Sequence, residues 1–364
     1  MAEKKKVRIG LGTFDLIKGI AMLSVIFVHT QWRYDAQQFP LFNSLGLIFA
    51  ILLGSGAMPM FFLVSGFGFK EKPEKMVLKK TFSELLIPYI RAIPIFFFSY
   101  CALRYILFPT GWDLIKAAAR GSCGYLLGIP RPGYIFENDS ISAGALWFFL
   151  ALFIATNLLN IVLKIKNTAI QTITVILLVV AGYMLLKLDF LFYCIPQGLM
   201  ALGFCYFGFM MKKRKLLERW MYSKWTYLIL VPIWLLMLAA TLTGKSTGFD
   251  MATGGFSPLE YLGAGCSGLF SMIISIYLSK FDLKWLEWIG TIGRYSYWIL
   301  YTHAIEMLAF PWYDLAVLNP NGHMSLMIEL TIKVIVILTG CMIFKKCSQI
   351  KYQRLLLIKQ NNSR

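Results

Sequence analysis

Apolar stretches close to twenty residues long recur along the chain at roughly 14–33, 43–69, 85–108, 144–164, 168–187, 190–211, 222–243, 257–279, 288–310 and 325–345. At a rise of ~1.5 Å per residue, each can cross a hydrocarbon layer about 30 Å thick as a helix. The pattern predicts an all-α protein, a polytopic transmembrane bundle of about ten helices. The second stretch is overlong and contains Gly54-Ser55-Gly56 and Pro59, so a kink or break is expected there. No internal repeat, low-complexity region or soluble domain interrupts the series. Residues 1–345 therefore read as one transmembrane domain and 346–364 as a cytoplasmic basic tail.

Composition agrees with lipid as the solvent. Of the 364 residues, 58% are hydrophobic and only 15% charged, and mean hydropathy is +0.65. A water-soluble fold of this size could not hide that much apolar side chain. A net charge of +18 would fit a nucleic-acid or acidic-lipid partner. Its distribution points instead to topology, and nucleic acid is not an expected partner. With the N-terminus inside, the inner segments hold 25 Lys and Arg and the outer segments 6. That bias predicts both termini in the cytoplasm, as expected for a multi-pass membrane protein. The first apolar stretch contains Asp15 and Lys18 and lacks a small-residue cleavage site, so it reads as a retained helix. The seven cysteines show no ligand spacing, and neither a metal site nor a disulfide framework is expected.

Ionisable groups inside the hydrocarbon layer are costly and mark functional sites by default. In DLIKGIAMLSVIFVHT, eleven residues separate Lys18 from His29, which returns to within about 20° on a helix, about 16 Å further along the axis. Asp15 falls about 40° to the other side of His29, so all three share one face, which must look into the bundle. An imidazole that titrates near neutrality suits proton transfer. Counted from the inner helix ends, Lys18, Arg91 and Arg294 lie about 6–9 Å deep, and His29 and His303 about 22 Å deep. Cations at one level and histidines at another suit an anionic donor held from the inside, with proton chemistry nearer the outside. Arg294 and His303, nine residues apart, face opposite ways on one straight helix unless Gly290 or Gly293 lets it deform.

His303 also reads as a packed histidine bonded to Glu306, one turn away, or to a neighbouring helix. Glu329 and Lys333 read as a self-neutralising i, i+4 pair. Arg104 reads as a snorkelling residue, Glu260 as interfacial or substrate-facing, and His323 as a solvated loop residue. The outer loop, about 109–143, is either an amphipathic surface segment or a platform for a polar substrate.

Four segments carry a family resemblance. FDLIKGIAMLSVIFVHT resembles the opening pattern of the membrane-bound acyltransferase family 3, a basic residue followed after ten positions by His, here Lys18 and His29. MFFLVSGFGF (60–69), LWFFLAL (146–152) and GRYSYWILYTHAIE (293–306) are similar to three further family stretches, in the same order. The resemblance implies an O-acyltransferase of cell-surface glycans. It would move an acyl group, typically acetyl from acetyl-CoA on the cytoplasmic side, to a hydroxyl of an extracytoplasmic glycan or lipid-linked sugar, with membrane lipid around it. His29 would be catalytic, and Lys18 would bind or orient the acyl-CoA. To these we add His303 as a second catalytic residue, Arg91 and Arg294 as donor-binding cations, and Ser65, Trp147 and Glu306 as substrate-binding residues. The family's Arg-x-x-Arg motif before Pro-Tyr is replaced by LKKTFSELLIPYI, with Lys79 and Lys80 upstream of Pro88-Tyr89. The competing class is a transporter or flippase for an anionic lipid or sugar, its buried charges forming a path.

Overall fold

The computed structural model describes residues 11–31, 53, 56–107, 112–135, 141–242, 250–252, 254–281, 283–312, 326–343 and 346. The N-terminal segment, Glu137, Asp139, Lys245, His323 and nearly all of the basic tail lie outside the described residues. Every one of the ten apolar stretches contains helix, and no strand occurs among the described residues. After a 3-10 turn at Leu11–Phe14 come α1 (Asp15–Gln31), α2 (Ala57–Gly68), α3 (Glu74–Thr81) and α4 (Ile87–Leu107). These are followed by α5 (Trp112–Leu127), α6 (Trp147–Val162), α7 (Thr168–Lys187), α8 (Ile195–Lys213) and α9 (Leu216–Trp220). The series closes with α10 (Lys224–Leu242), α11 (Pro258–Leu278), α12 (Lys284–Arg294), α13 (Ser296–Ala309) and α14 (Leu326–Ile343). Among the described residues, seven helical segments are long and apolar enough to cross a membrane.

Helix α8 forms the centre, packed against α2, α6 and α7. Small residues let these backbones touch. A Cβ on Gly66 of α2 would run into the Cys205 carbonyl of α8, and one on Gly208 of α8 into the Leu63 carbonyl of α2. Lipid gives helices little hydrophobic reason to associate, so such close approach, with its dense van der Waals contact, holds the bundle together. The outer-loop segment resolves as an amphipathic helix. Leu114, Ala118, Gly121 and Tyr125 of α5 form one buried stripe, with Gly121 against the Phe96 ring of α4. The Tyr89 hydroxyl donates to the Tyr125 carbonyl.

Helices α3 and α4 run as one rod through a π-helical segment, Phe82–Leu86. Pro88 has no N–H to give the Glu84 carbonyl one turn earlier. The Tyr297 hydroxyl of α13 donates to that carbonyl instead, tying α4 to α13. Glu260 has a structural role at its helix start. It closes a capping box with Ser257, which starts α11 after Phe256.

The stretch at 288–310 is two helices. It breaks at Tyr295, whose φ of −98° and ψ of 8° separate α12 from α13. Gly293 serves a different purpose from the hinge considered above. A Cβ there would strike the Asp15 carbonyl of α1, and one on Gly19 would strike the Ile289 carbonyl of α12. The α1–α12 crossing is thus a two-glycine contact that fixes the height of Lys18. Gly290, one turn from Gly293, faces open space. We expect Gly293→Ala to lower the Tm of detergent-purified protein, by the ~1–3 kcal/mol typical of overpacking. Gly290→Ala should leave the Tm unchanged or raise it, since Ala is the better helix former by up to about 1 kcal/mol. Scanning fluorimetry of the pair separates close contact from backbone flexibility.

Candidate functional site: a lysine-lined cavity beneath a histidine pair

A cavity of about 610 Å³ opens among α1, α2, α3, the π-helical segment Phe82–Leu86, α6 and α13. Its polar lining comes mainly from Lys18, Lys70, Lys72, Lys80, Glu84, Ser65 and Thr156, and its apolar wall includes Met22, Phe61, Phe148, Phe149 and Leu300. Local structure explains how the cations are held. The Lys18 ammonium lies 2.6 Å from Asp15 one turn back, and Asp15 is also approached by Arg294 Nε at 3.7 Å. Lys70 and Lys72 lie in the link between α2 and α3. Asn160 of α6, 1% exposed, clamps that link through both sides of its amide: Oδ1 accepts from the Lys72 N–H at 3.3 Å, and Nδ2 donates to the Lys72 carbonyl at 3.0 Å. Lys164 and Glu74 pair beside it. Lys80 projects from α3 and lies 3.7 Å from Glu84. Thr81, one residue on, bonds Asn157 of α6 at 2.9 Å and keeps α3 against the bundle.

The faces of α1 and α13 that line the cavity continue past its upper end. On α1 the face runs through Lys18 and Met22 to His29, at offsets of four and eleven residues. On α13 it runs through Ser296, Tyr297 and Leu300 to His303. The two imidazoles meet there, with ring centroids 5.6 Å apart at 42°. The level inferred from helix depth is therefore a contact. By helical rise His303 sits about 4.5 Å beyond Leu300, and His29 about 10 Å beyond Met22. His303 Nδ1 is 3.0 Å from Glu306 Oε2, and the Glu306 Oε1 atom is 3.7 Å from Lys333 of α14. Lys333 in turn lies 3.1 Å from Glu329.

The expected site residues are distributed between the cavity, the histidine pair and positions outside both. Ser65 does line the cavity, its hydroxyl donating to the Phe61 carbonyl at 2.8 Å. Trp147 does not. It is 7% exposed, with its ring 6.3 Å from that of Phe148 and edge-on to it, behind the cavity wall. Glu306 is only 2% exposed, with its oxygens turned to His303 and Lys333 rather than to an open substrate space. Arg91 is exposed and is not part of the cavity lining. Arg294, also outside the lining, reaches Asp15. Lys70, Lys72 and Lys80 were missed as individual contacts. In the sequence, Lys70 and Lys72 figure only in the inner-segment charge bias, and Lys80 also in the stretch that replaces the Arg-x-x-Arg motif. The view of Glu329 and Lys333 as a self-contained pair also changes, because Lys333 joins them to Glu306 and His303. Arg104 lies over the Tyr100 ring at 4.7 Å.

Comparison with curated proteins and with solved structures gives no match. The family model for acyltransferase family 3, described as an acyltransferase domain, matches residues 11–346. That span takes in the Lys18–His29 helix, the SGF segment of α2 and both helices around Tyr295. The chain, an all-helical membrane protein with a cation-lined cavity leading toward two touching imidazoles, belongs to the acyltransferase family 3.

Proposed function

We propose that this protein is a plasma-membrane O-acyltransferase that takes an acyl group, in the first instance acetyl, from cytoplasmic acyl-CoA and esterifies a hydroxyl of an extracytoplasmic glycan or lipid-linked sugar. One observation carries the reading. The faces of α1 and α13 that wall a lysine-rich cavity also carry, one to two turns deeper, the His29–His303 contact.

Lys18, Lys70, Lys72 and Lys80 form a cationic mouth of the kind that pairs with the phosphates of CoA. The sequence bias of Lys and Arg assigns this end to the cytoplasm. Asp15 and Arg294 position Lys18 rather than meeting the donor, and Arg91 lies outside the mouth. The apolar wall of Met22, Phe61, Phe148, Phe149 and Leu300 suits an uncharged pantetheine arm and acyl chain. An ionised Glu306 has no proton to give, so the contact with His303 Nδ1 puts the imidazole proton on that nitrogen and leaves Nε2 as the basic atom. In the transfer, an imidazole of the pair accepts the proton of the acceptor hydroxyl as its oxygen bonds to the thioester carbonyl carbon. The C–S bond then breaks, the thiolate takes up a proton delivered from the imidazolium, and free CoA-SH and the ester result. A covalent acyl-imidazole route would use the same residues. Exclusion of water by the apolar wall would disfavour hydrolysis of the donor.

His29→Ala should lower acyl transfer by about 10²–10⁴-fold, the usual contribution of a general base, with membrane abundance unchanged. The measurement is acyl-group mass on envelope glycans from cells carrying each variant. Full acylation by His29→Ala would overturn the assignment. Replacing Lys70, Lys72 and Lys80 together by Gln should raise KM for acyl-CoA about tenfold or more, equivalent to one lost charge-assisted contact, with little change in kcat. The unsubstituted protein should lose affinity for CoA as salt is raised, which titration of CoA binding at several ionic strengths reads directly.

A further inference from the structure

The bundle encloses a line of ionisable side chains that runs on from His303 and Glu306 to Lys333 and Glu329, and the transfer itself does not use the last two. His303, Glu306, Glu329 and Lys333 are each 2% exposed or less. Charges this deep in a membrane protein are retained only against a large desolvation cost. A hydrophobic residue at position 333 would avoid that cost if Lys333 merely filled space, because apart from Glu329 its helix carries no other charge.

The geometry is directional. Glu306 divides its two oxygens: Oε2 faces His303 Nδ1 at 3.0 Å, and Oε1 faces Lys333 Nζ at 3.7 Å. Lys333 is held from its other side by Glu329 Oε1 at 3.1 Å, one turn back on α14, and its ammonium lies 5.3 Å from the centroid of the Trp312 ring. Helix α14 is locked against α13 by Gly340, where a Cβ would strike the Thr302 side chain next to His303. A rigid helix contact and two carboxylates thus hold one ammonium beside the carboxylate that orients the imidazole.

We infer that Lys333 is a positioning residue for acyl transfer: through its contact with Glu306 Oε1 it keeps that carboxylate aimed at His303 Nδ1, so that His303 presents Nε2 as a base beside His29. Glu329 anchors Lys333 in that task. This rests on the acyltransferase reading of the site. Lys333 is not part of the cavity lining, so it should act on turnover and not on donor binding. The relation is that of a carboxylate-supported histidine with a further outer partner. Loss of such a partner costs about ten- to a hundredfold where it has been measured around metal-bound histidines.

The test uses the full-length protein in detergent or nanodiscs, with acetyl-CoA as donor and thioester turnover followed by release of the free thiol. Unsubstituted protein is assayed first, and no turnover with any donor or acceptor tried would count against the acyltransferase reading itself. Given turnover, Lys333→Met should lower kcat about ten- to a hundredfold, with KM for acetyl-CoA and CoA affinity within twofold of the parent. Lys333→Arg, which keeps the charge, should recover most of the loss. Glu306→Gln should fall as far as Lys333→Met, and the double variant should be no worse than the poorer single, because both remove one function. Parental kcat in Lys333→Met overturns the inference. So do additive losses in the double variant, or a KM rise that matches the kcat fall. If Lys333→Met does not fold, Lys333→Arg and Glu306→Gln decide. A charge-preserving variant as poor as Glu306→Gln, with CoA binding intact, sinks the positioning role.

Discussion

A charged side chain in a hydrocarbon layer is stable only where protein, not lipid, surrounds it, and that constraint organises this molecule. Asp15, Lys18 and His29 share one face of α1 because the helical period places them there. The rest of the bundle is arranged to receive that face. Helix α12 meets its lower end through two glycines and an arginine, α13 meets its upper end through His303, and α2 and α6 supply the cavity wall between. Each ionisable group on the face thereby gains a protein partner, and the partners define a site.

The two ends of that site are supported differently. At the basic end, charges are partly open, and Lys18 is 19% exposed in its pair with Asp15. Such cations can exchange an internal partner for an incoming anion at little cost, as a donor-binding mouth requires. At the histidine end, the carboxylates and the ammonium are sealed, and their geometry is set by helix contacts rather than by solvent. A low-dielectric surrounding strengthens each interaction there and makes each misplacement expensive. One end is built to bind and the other to hold a fixed orientation.

The break at Tyr295 reconciles these demands. One straight helix would turn Arg294 and His303 to opposite sides. Dividing it lets α12, with exposed Trp285 and Trp288, lie against α1 while α13 takes its own direction beside α4. The tie from Tyr297 to the carbonyl freed by Pro88 then fixes α13 relative to the rod of α3 and α4, which carries Lys80 into the cavity wall.

The sequence by itself determined the class of fold, the stretches in which the apolar helices lie and the shared face of Asp15, Lys18 and His29. These follow from hydropathy and a 3.6-residue period, which are local properties. It also indicated that His29 and His303 lie at one depth, because depth along a helix is a count of residues. Only the tertiary structure decided which helices touch. It set Trp147 against Phe148 outside the cavity lining, placed Glu306 between His303 and Lys333, and brought Lys70, Lys72 and Lys80 into a lining that does not include Arg91 or Arg294. It also joined Lys333, the i, i+4 partner of Glu329, to the histidine site. Those outcomes depend on close approach at Gly19, Gly66, Gly208, Gly293 and Gly340. A glycine in a sequence records that room has been left for a neighbour without naming the neighbour, so the partner of each helix face is fixed only when the backbones meet.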